Sequence, residues 1–145
     1  MYHVERFFSL HRRDHTPGML TLRVDFSSLK LPGTSEARHQ VRVKHELTEK
    51  DGTKELALSW DPQDRTVPLF AGKLTTAEKG PGTTALTLDG NYTPPLGVAG
   101  AAFDLVAGRK IASATARGLL EDMKEFIEAD YRTARATNLA SSPKD

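Results

Sequence analysis

Apolar and polar positions alternate strictly in two segments of the first third of the chain. In residues 20–26 and again in residues 39–47, every second side chain is apolar or histidine, and the side chains between them are polar. A period of two is typical of a strand with one buried face and one face in water. The two segments therefore predict two half-buried β-strands.

The same alternation returns in residues 56–60, 70–76 and 86–92. Asp51-Gly52 is a hairpin sequence, and the residues 79–82, Lys-Gly-Pro-Gly, form a second turn signal. We expect the strand at 56–60 to end at Pro62, because proline cannot donate to the ladder. Five strands joined by short turns favour an antiparallel meander.

After the strands the period changes to that of a helix. Apolar residues recur at spacings of three and four, namely at Ala112, Ala116, Leu119, Leu120, Met123 and Ile127. About 24 residues from Gly108 to Tyr131 rise about 36 Å, which matches a ten-residue strand of about 33 Å. We expect this helix to pack on the sheet, with a bend or break near Gly108, and to fray beyond Arg132.

The predicted architecture is therefore one α+β domain over residues 1–133, followed by a flexible tail over residues 134–145. The first dozen residues are ambiguous, since Val4, Phe7, Phe8 and Leu10 fit either one face of a helix or an irregular strand.

Composition narrows the range of functions. The 20 Lys and Arg residues nearly cancel the 19 Asp and Glu, leaving +1, so nucleic acid is not an expected partner. The absence of cysteine excludes disulfides and thiolate metal sites, and it fits a cytoplasmic location. No apolar run approaches the roughly 20 residues that span a bilayer, and the N-terminal segment lacks the apolar core of a signal peptide.

Residues 86–128 also carry a resemblance to a known superfamily. The sequence Tyr92-Thr-Pro-Pro-Leu-Gly, then Gly108-Arg109 and an amphipathic helix, resembles the C-terminal half of START-like proteins, which include polyketide cyclase/dehydratase-like and lipid-transfer proteins. The resemblance implies a helix-grip fold, in which the sheet grips the C-terminal helix around a cavity. It also implies a hydrophobic small molecule or lipid as the ligand.

The chain departs from that superfamily after its first predicted strand. Helix-grip proteins usually have two short helices there, but residues 27–37 are too few for both, and Pro32-Gly33 interrupts them. We therefore expect an open cavity, or one covered by residues 1–15 or by a second subunit. A further possibility is that the first strand lies near Tyr2.

Five inward-facing or paired histidine and tyrosine residues are candidates for chemistry. His39, His45 and Tyr92 are weak catalytic candidates, because imidazole titrates near neutrality and tyrosine offers a hydroxyl. The structural alternative for His39 and His45 is a position at the two ends of a strand, about 20 Å apart, where they cannot share a metal. His11 and His15 have helical i, i+4 spacing, but no third ligand is near, so we expect no metal and no cofactor.

Aromatic and small residues give the candidate binding site. Trp60, Phe70 and Tyr92 face inward on three strands, opposite Ala112, Ala116 and Leu120 of the helix. The small residues Ala112, Ala116, Gly72 and Gly90 either leave room for a ligand or allow close packing of the helix on the sheet. The aromatic residues either line a cavity or fill the core. Asp104 and Arg109 are expected to have structural roles at the helix end.

Three functions follow as hypotheses. The leading one is a binding protein without evident catalytic machinery, whose pocket between sheet and helix takes a hydrophobic small molecule or lipid. The second is a polyketide cyclase/dehydratase-like enzyme. The third is a structural or interaction protein that acts as a homodimer.

Overall fold

The computed structural model describes residues 1–10, 18–25, 36–50, 53–62, 69–93 and 105–140. These residues form two helices and five strands. In chain order the elements are α1 (Tyr2–Leu10), β1 (Met19–Asp25), β2 (Glu36–Lys50), β3 (Thr53–Pro62), β4 (Leu69–Gly80), β5 (Thr83–Thr93) and α2 (Leu105–Ala140).

The five strands form one antiparallel sheet in the order β1-β2-β3-β4-β5, so each strand pairs with its neighbour in sequence. The sheet curls into a half-barrel, and α2 contacts both of its edge strands, β1 and β5. The architecture is α+β and helix-grip-like. The sequence-based prediction of fold class, strand number and meander order is therefore confirmed.

The core lies between the concave face of the sheet, α2 and α1. The strand residues in this core are the alternating apolar residues from which the strands were predicted, such as Leu20, Leu22 and Val24 of β1. β2 is longer at both ends than its alternating segment. β3 ends at Pro62, as the missing amide of proline predicts.

The turn between β4 and β5 lies at residues 81–82, where Gly82 has φ +70°. Glycine adopts that conformation without the strain that a Cβ brings. The predicted turn is thus confirmed, whereas the turn at Asp51-Gly52 lies outside the described residues.

The described length of α2 corrects two expectations. The helix runs through Gly108 without a break, and it continues past Arg132 to Ala140. Among residues 108–138, whose side chains are described, Gly108 is buried and burial ends with the largely buried side chain of Asp130. Residues 131–138 extend beyond the core with exposed side chains.

The buried stripe of α2 agrees with the predicted one at Leu119 and Met123. In the two turns before them the buried residues are Ile111 and Thr115, while Ala112 and Ala116 are only partly buried, as is Leu120. The sequence pattern misses this difference because a threonine interrupts the apolar series.

The ambiguous N-terminal segment is a helix, and the possibility of a first strand near Tyr2 is wrong. α1 buries Val4, Phe7 and Phe8 in the common core. It packs against α2, where the Asp130 carboxylate contacts His3 Nδ1 and Arg6 Nη1, each at 2.8 Å. α1 thus covers one side of the core.

No described helix combines the length and the apolar character that crossing a membrane requires.

Candidate functional site

An aromatic row crosses three strands on the concave face of the sheet. Trp60 of β3 pairs in register with Phe70 of β4, and Phe70 pairs with Tyr92 of β5. The rings of Trp60 and Phe70 are stacked, with centroids 4.3 Å apart and an interplanar angle of 18°. Directly opposed residues have Cβ atoms about 5 Å apart, so this register brings the three side chains together.

The next row toward the sheet centre contains two glycines in register, Gly72 and Gly90. The Phe70 ring lies over this pair. A Cβ at Gly90 would come within 2.7 Å of Phe70 Cζ and within 2.6 Å of the Ala71 carbonyl oxygen. The glycines therefore allow the ring to lie flat against the backbone instead of rising toward the helix.

One face of α2 lies opposite the aromatic row. Arg109, Ala112, Ser113 and Ala116 follow the spacing i, i+3, i+4, i+7 of a helical face, and two of them are alanines. Small side chains on the helix leave space that large ones would fill.

A pocket of about 300 Å³, partly open to solvent, lies between the sheet and the helix. We call it the aromatic pocket. Its lining residues come from β3, β4, β5 and α2: Trp60, Phe70, Leu88, Asp89, Gly90, Tyr92, Arg109, Ala112, Ser113, Thr115 and Ala116.

The pocket changes in polarity from its base to its rim. Trp60 is 4% exposed and Thr115 is 1% exposed, whereas Asp89, Arg109 and Ser113 are exposed. The exposed guanidinium of Arg109 keeps its contact with water. A ligand would therefore meet mainly apolar surface at depth and the polar side chains of α2 near the entrance.

Thr115 has a buried hydroxyl that is unusual among the threonines of α2. Its Oγ1 atom is buried and has no hydrogen-bond partner among the described residues. A helical threonine commonly donates to the carbonyl four residues earlier. Thr133 and Thr137 of the same helix do so at 3.0 Å, but Thr115 does not.

Five of the predicted binding residues line this one pocket: Trp60, Phe70, Tyr92, Ala112 and Ala116. The sixth, Leu120, is not in the lining and packs against the core. Of the three catalytic candidates, Tyr92 lines the pocket.

The other two catalytic candidates, His39 and His45, lie elsewhere on β2. His39 pairs with Leu22 of β1, and the His45 ring stacks on Phe8 of α1 with centroids 5.3 Å apart. Neither lines the aromatic pocket. Both are half-buried, and both lie within β2 and not at its two ends, because the strand extends from Glu36 to Lys50.

Sequence reasoning missed Thr115 and gave Arg109 a structural role. A search for apolar residues at helical spacing leaves out threonine, although Thr115 follows Ile111 at the i+4 position of the buried stripe. Arg109 has no ion-pair partner within the described ranges, and it lines the pocket rim. Asp104, its proposed partner, lies outside those ranges.

A second, larger cavity of about 630 Å³ lies where α1, α2 and the β4–β5 hairpin meet. Several of its polar groups already have partners: His3 pairs with Asp130, and Lys124 contacts Glu128 at 3.9 Å. Tyr131, also in its lining, is 57% exposed. Both pockets are partly open to solvent, and we take the aromatic pocket as the candidate site because five of the six predicted binding residues line it.

Within the described residues no group of three His, Cys, Asp or Glu side chains is arranged to hold a metal ion. His11 and His15, the pair with metal-ligand spacing, lie outside those residues.

No family model, no curated protein and no solved structure matches this chain.

Proposed function

We propose that this protein binds a small hydrophobic molecule in the aromatic pocket. The observation that carries the proposal is a partly open pocket of about 300 Å³ between the aromatic row of the sheet and the alanine face of α2. Ligand pockets usually range from about 300 to 1,000 Å³ and combine apolar walls with a few polar groups. The volume lies at the lower limit, so the ligand is small.

The walls favour a planar molecule. Trp60 and Phe70 are stacked and present extended ring surface, and Ala112 and Ala116 allow a ligand to approach the helix closely. The START-like resemblance of the sequence supports the same location, because it implies a ligand between the sheet and the C-terminal helix.

Trp60 provides a direct test, because it is the one tryptophan of the chain and it lines the pocket. We expect titration with p-xylene to change Trp60 fluorescence saturably. Ala112→Leu places an isobutyl group in the pocket and should weaken this binding at least about tenfold, since it occupies the ligand's volume. Ala129→Leu is the matched control, because Ala129 is exposed on the same helix outside the lining.

Two results would contradict the proposal. One is the absence of a saturable response to p-xylene and to a wider set of small aromatic probes. The other is an equal response in the Ala112→Leu variant. Mass spectrometry of gently purified protein adds an independent measurement, in which a co-purified small molecule is expected.

A second candidate function is a polyketide cyclase/dehydratase-like enzyme. It is supported by Tyr92, whose hydroxyl belongs to a residue of the pocket lining, which also includes the cationic residue Arg109. Its test is turnover of a panel of polyketide-like substrates. Tyr92→Phe should abolish turnover and leave p-xylene binding intact; full turnover in that variant would exclude this role.

A homodimer is the third candidate, and the edge of the sheet supports it. β5 has one neighbouring strand in the described sheet, so its other edge has backbone groups that a second copy could pair with. Light scattering is the test, and a monomer at high micromolar concentration would contradict this function.

A further inference from the structure

We infer that the outer edge of β5 is a dimer interface, at which two copies of this chain pair their β5 strands antiparallel about a two-fold axis at Leu88. The inference rests on the homodimer, the third candidate function above, and specifies its interface and register. It does not depend on a ligand in the aromatic pocket. The pairing joins the two five-stranded sheets into one continuous sheet.

The two edges of the sheet differ in what covers their backbone. β1 lies against α2: Arg23 Nη2 contacts Asp122 Oδ1 at 2.6 Å, and a Cβ at Gly118 would lie 3.9 Å from the Arg23 carbonyl oxygen. β5 has one neighbour in the described sheet, and Gly90 near its middle is exposed. Because glycine has no side chain, that exposed surface is backbone. The edge of β5 is therefore the accessible one.

The register with β4 shows which backbone groups of β5 are directed outward. The Ala71 carbonyl oxygen is directed toward β5, since it lies 2.6 Å from the position of a Cβ on Gly90. Ala71 is opposite Asn91, so these two form a hydrogen-bonded pair. Such pairs alternate with non-hydrogen-bonded ones in an antiparallel ladder. Gly90, and by the same alternation Leu86 and Leu88, therefore direct their N–H and C=O groups away from β4.

The composition of β5 does not protect this edge. Natural edge strands usually carry charged residues, proline or a bulge, which prevent pairing with another chain. β5 has eleven residues, of which only Asp89 is charged and none is proline, and its ladder with β4 is regular from Thr84 onward. Its long uncharged edge is typical of a strand that pairs with a partner.

The position of the one charge favours a second copy as that partner. Leu88 is the midpoint of Thr83–Thr93, so a two-fold axis there pairs the whole strand with its copy. In that register Asp89 lies opposite the partner's Thr87, which offers a hydroxyl. An axis one residue further along would place the two Asp89 carboxylates opposite each other, which is destabilising. Full overlap and compatible charge thus select the same register.

The experiment measures the dissociation constant of the dimer by sedimentation velocity over a range of concentrations of the full chain. Thr87→Lys places a cation opposite the partner's Asp89, whereas Thr87→Glu places an anion there. Each such pair occurs twice in a two-fold dimer, so we expect the first variant to tighten and the second to weaken association, each by about two- to thirtyfold. Thr87 is exposed, so neither variant disturbs the core.

Thr53→Lys and Thr53→Glu are the matched controls. Thr53 is exposed at the start of β3 and is not in β5, so both changes should leave the dissociation constant within about twofold.

Hydrogen exchange gives a second measurement, which follows the backbone directly. The amides of Leu86, Leu88 and Gly90 should be protected in the dimer and exchange at least about tenfold faster after dilution to the monomer. The amides of Thr87 and Asp89 should change little, because they are already bonded to β4.

The outcomes separate this inference from the functions proposed above. A chain that stays monomeric at high micromolar concentration overturns both the inference and the homodimer, and it does so too if the edge takes an extended peptide of another protein. If the chain is a dimer but Thr87→Lys and Thr87→Glu change its dissociation constant equally, or the amides of Leu86, Leu88 and Gly90 stay unprotected, this interface is overturned while the homodimer stands. None of these results bears on ligand binding, which Trp60 fluorescence tests separately.

Discussion

The Thr115 hydroxyl costs free energy in the unliganded protein. Folding removes it from water, and none of the described residues offers it a hydrogen bond in return. A buried group without a partner costs about 1–3 kcal/mol, whereas an apolar group of the same shape at that position does not.

Thr115→Val should therefore stabilise the unliganded protein by about 1 kcal/mol, seen as a higher midpoint in urea unfolding. Thr133→Val is the control, since Thr133 is exposed and should change stability by less than about 0.5 kcal/mol. Destabilisation by Thr115→Val would indicate that the hydroxyl has a partner in the free protein.

Gly90 determines the position of the Phe70 ring. Gly90→Ala brings a Cβ within 2.7 Å of Phe70 Cζ and within 2.6 Å of the Ala71 carbonyl oxygen, and the backbone atom cannot yield easily. We expect the free energy of unfolding to fall by about 1–3 kcal/mol, as for other overpacked sites. Trp60 fluorescence should also change, because the stacking of Trp60 on Phe70 is disturbed.

Gly80→Ala is the matched control for Gly90→Ala. Gly80 lies in the same hairpin, and a Cβ there meets no atom within 4 Å. The free energy of unfolding of the Gly80→Ala variant should differ from that of the unmodified protein by less than about 0.5 kcal/mol. Equal effects of the two substitutions would show that strand flexibility, and not contact with the ring, explains the glycines.

The sequence predicts on which face of the sheet the aromatic residues lie, but it does not predict their contacts. The alternation of strands places Trp60, Phe70 and Tyr92 on one face, because side-chain direction in a strand depends only on parity. It does not show that Phe70 lies over two glycines or that Thr115 lacks a partner. Those facts depend on register and on rotamers, which arise from contacts between residues far apart in sequence.

At the scale of elements, α1 depends on its contact with α2. Isolated helices shorter than about 12 residues are marginal in water, and α1 has nine residues. Its stability comes from burial of Val4, Phe7 and Phe8 and from the Asp130 carboxylate, which contacts both His3 and Arg6.

Asp130→Ala should lower the free energy of unfolding by about 1–2 kcal/mol, because the Asp130 side chain is 10% exposed and loses two partners. Hydrogen exchange at residues 2–10 should increase. Glu128→Ala removes an exposed contact of 3.9 Å with Lys124 and should cost about 0.5 kcal/mol or less. Unchanged exchange in the Asp130 variant would mean that apolar packing alone holds α1.

The C-terminal turns of α2 should be dispensable for folding. Residues 132–138 are all exposed, so a chain ending at Tyr131 should keep its stability within about 0.5 kcal/mol in urea unfolding. A chain ending at Asp122 is the contrasting variant, because it lacks the fully buried Met123 and should not fold. A large loss of stability in the chain ending at Tyr131 would show that the exposed turns have a packing role.

The helix shows why element ends are harder to predict than element types. The apolar period correctly predicts that α2 packs on the sheet, but packing ends near Asp130 and the backbone continues as a helix to Ala140. Residues 133–140 include three alanines, one arginine and one leucine, which are good helix formers. Local propensity therefore extends the helix where no tertiary contact requires it.

At the scale of the whole molecule, the aromatic pocket and α1 pack against different segments of the same helix. Trp60 reports on the pocket segment, whereas α1 contacts the segment around Asp130. The buried residues of sheet, α1 and α2 nevertheless form one continuous apolar cluster, which includes Phe7, Trp60 and Met123. A single core of this kind favours cooperative unfolding.

We therefore expect urea unfolding followed by Trp60 fluorescence to have the same midpoint as unfolding followed by far-ultraviolet circular dichroism. Asp130→Ala should lower both midpoints equally, although Asp130 is not part of the pocket lining, because its energetic effect is transmitted through the shared core. If only the dichroism midpoint falls, α1 unfolds locally and the pocket segment is an independent folding unit. A ligand of the pocket would then stabilise the sheet without stabilising α1, whereas in the cooperative case it protects the amides of residues 2–10 as well.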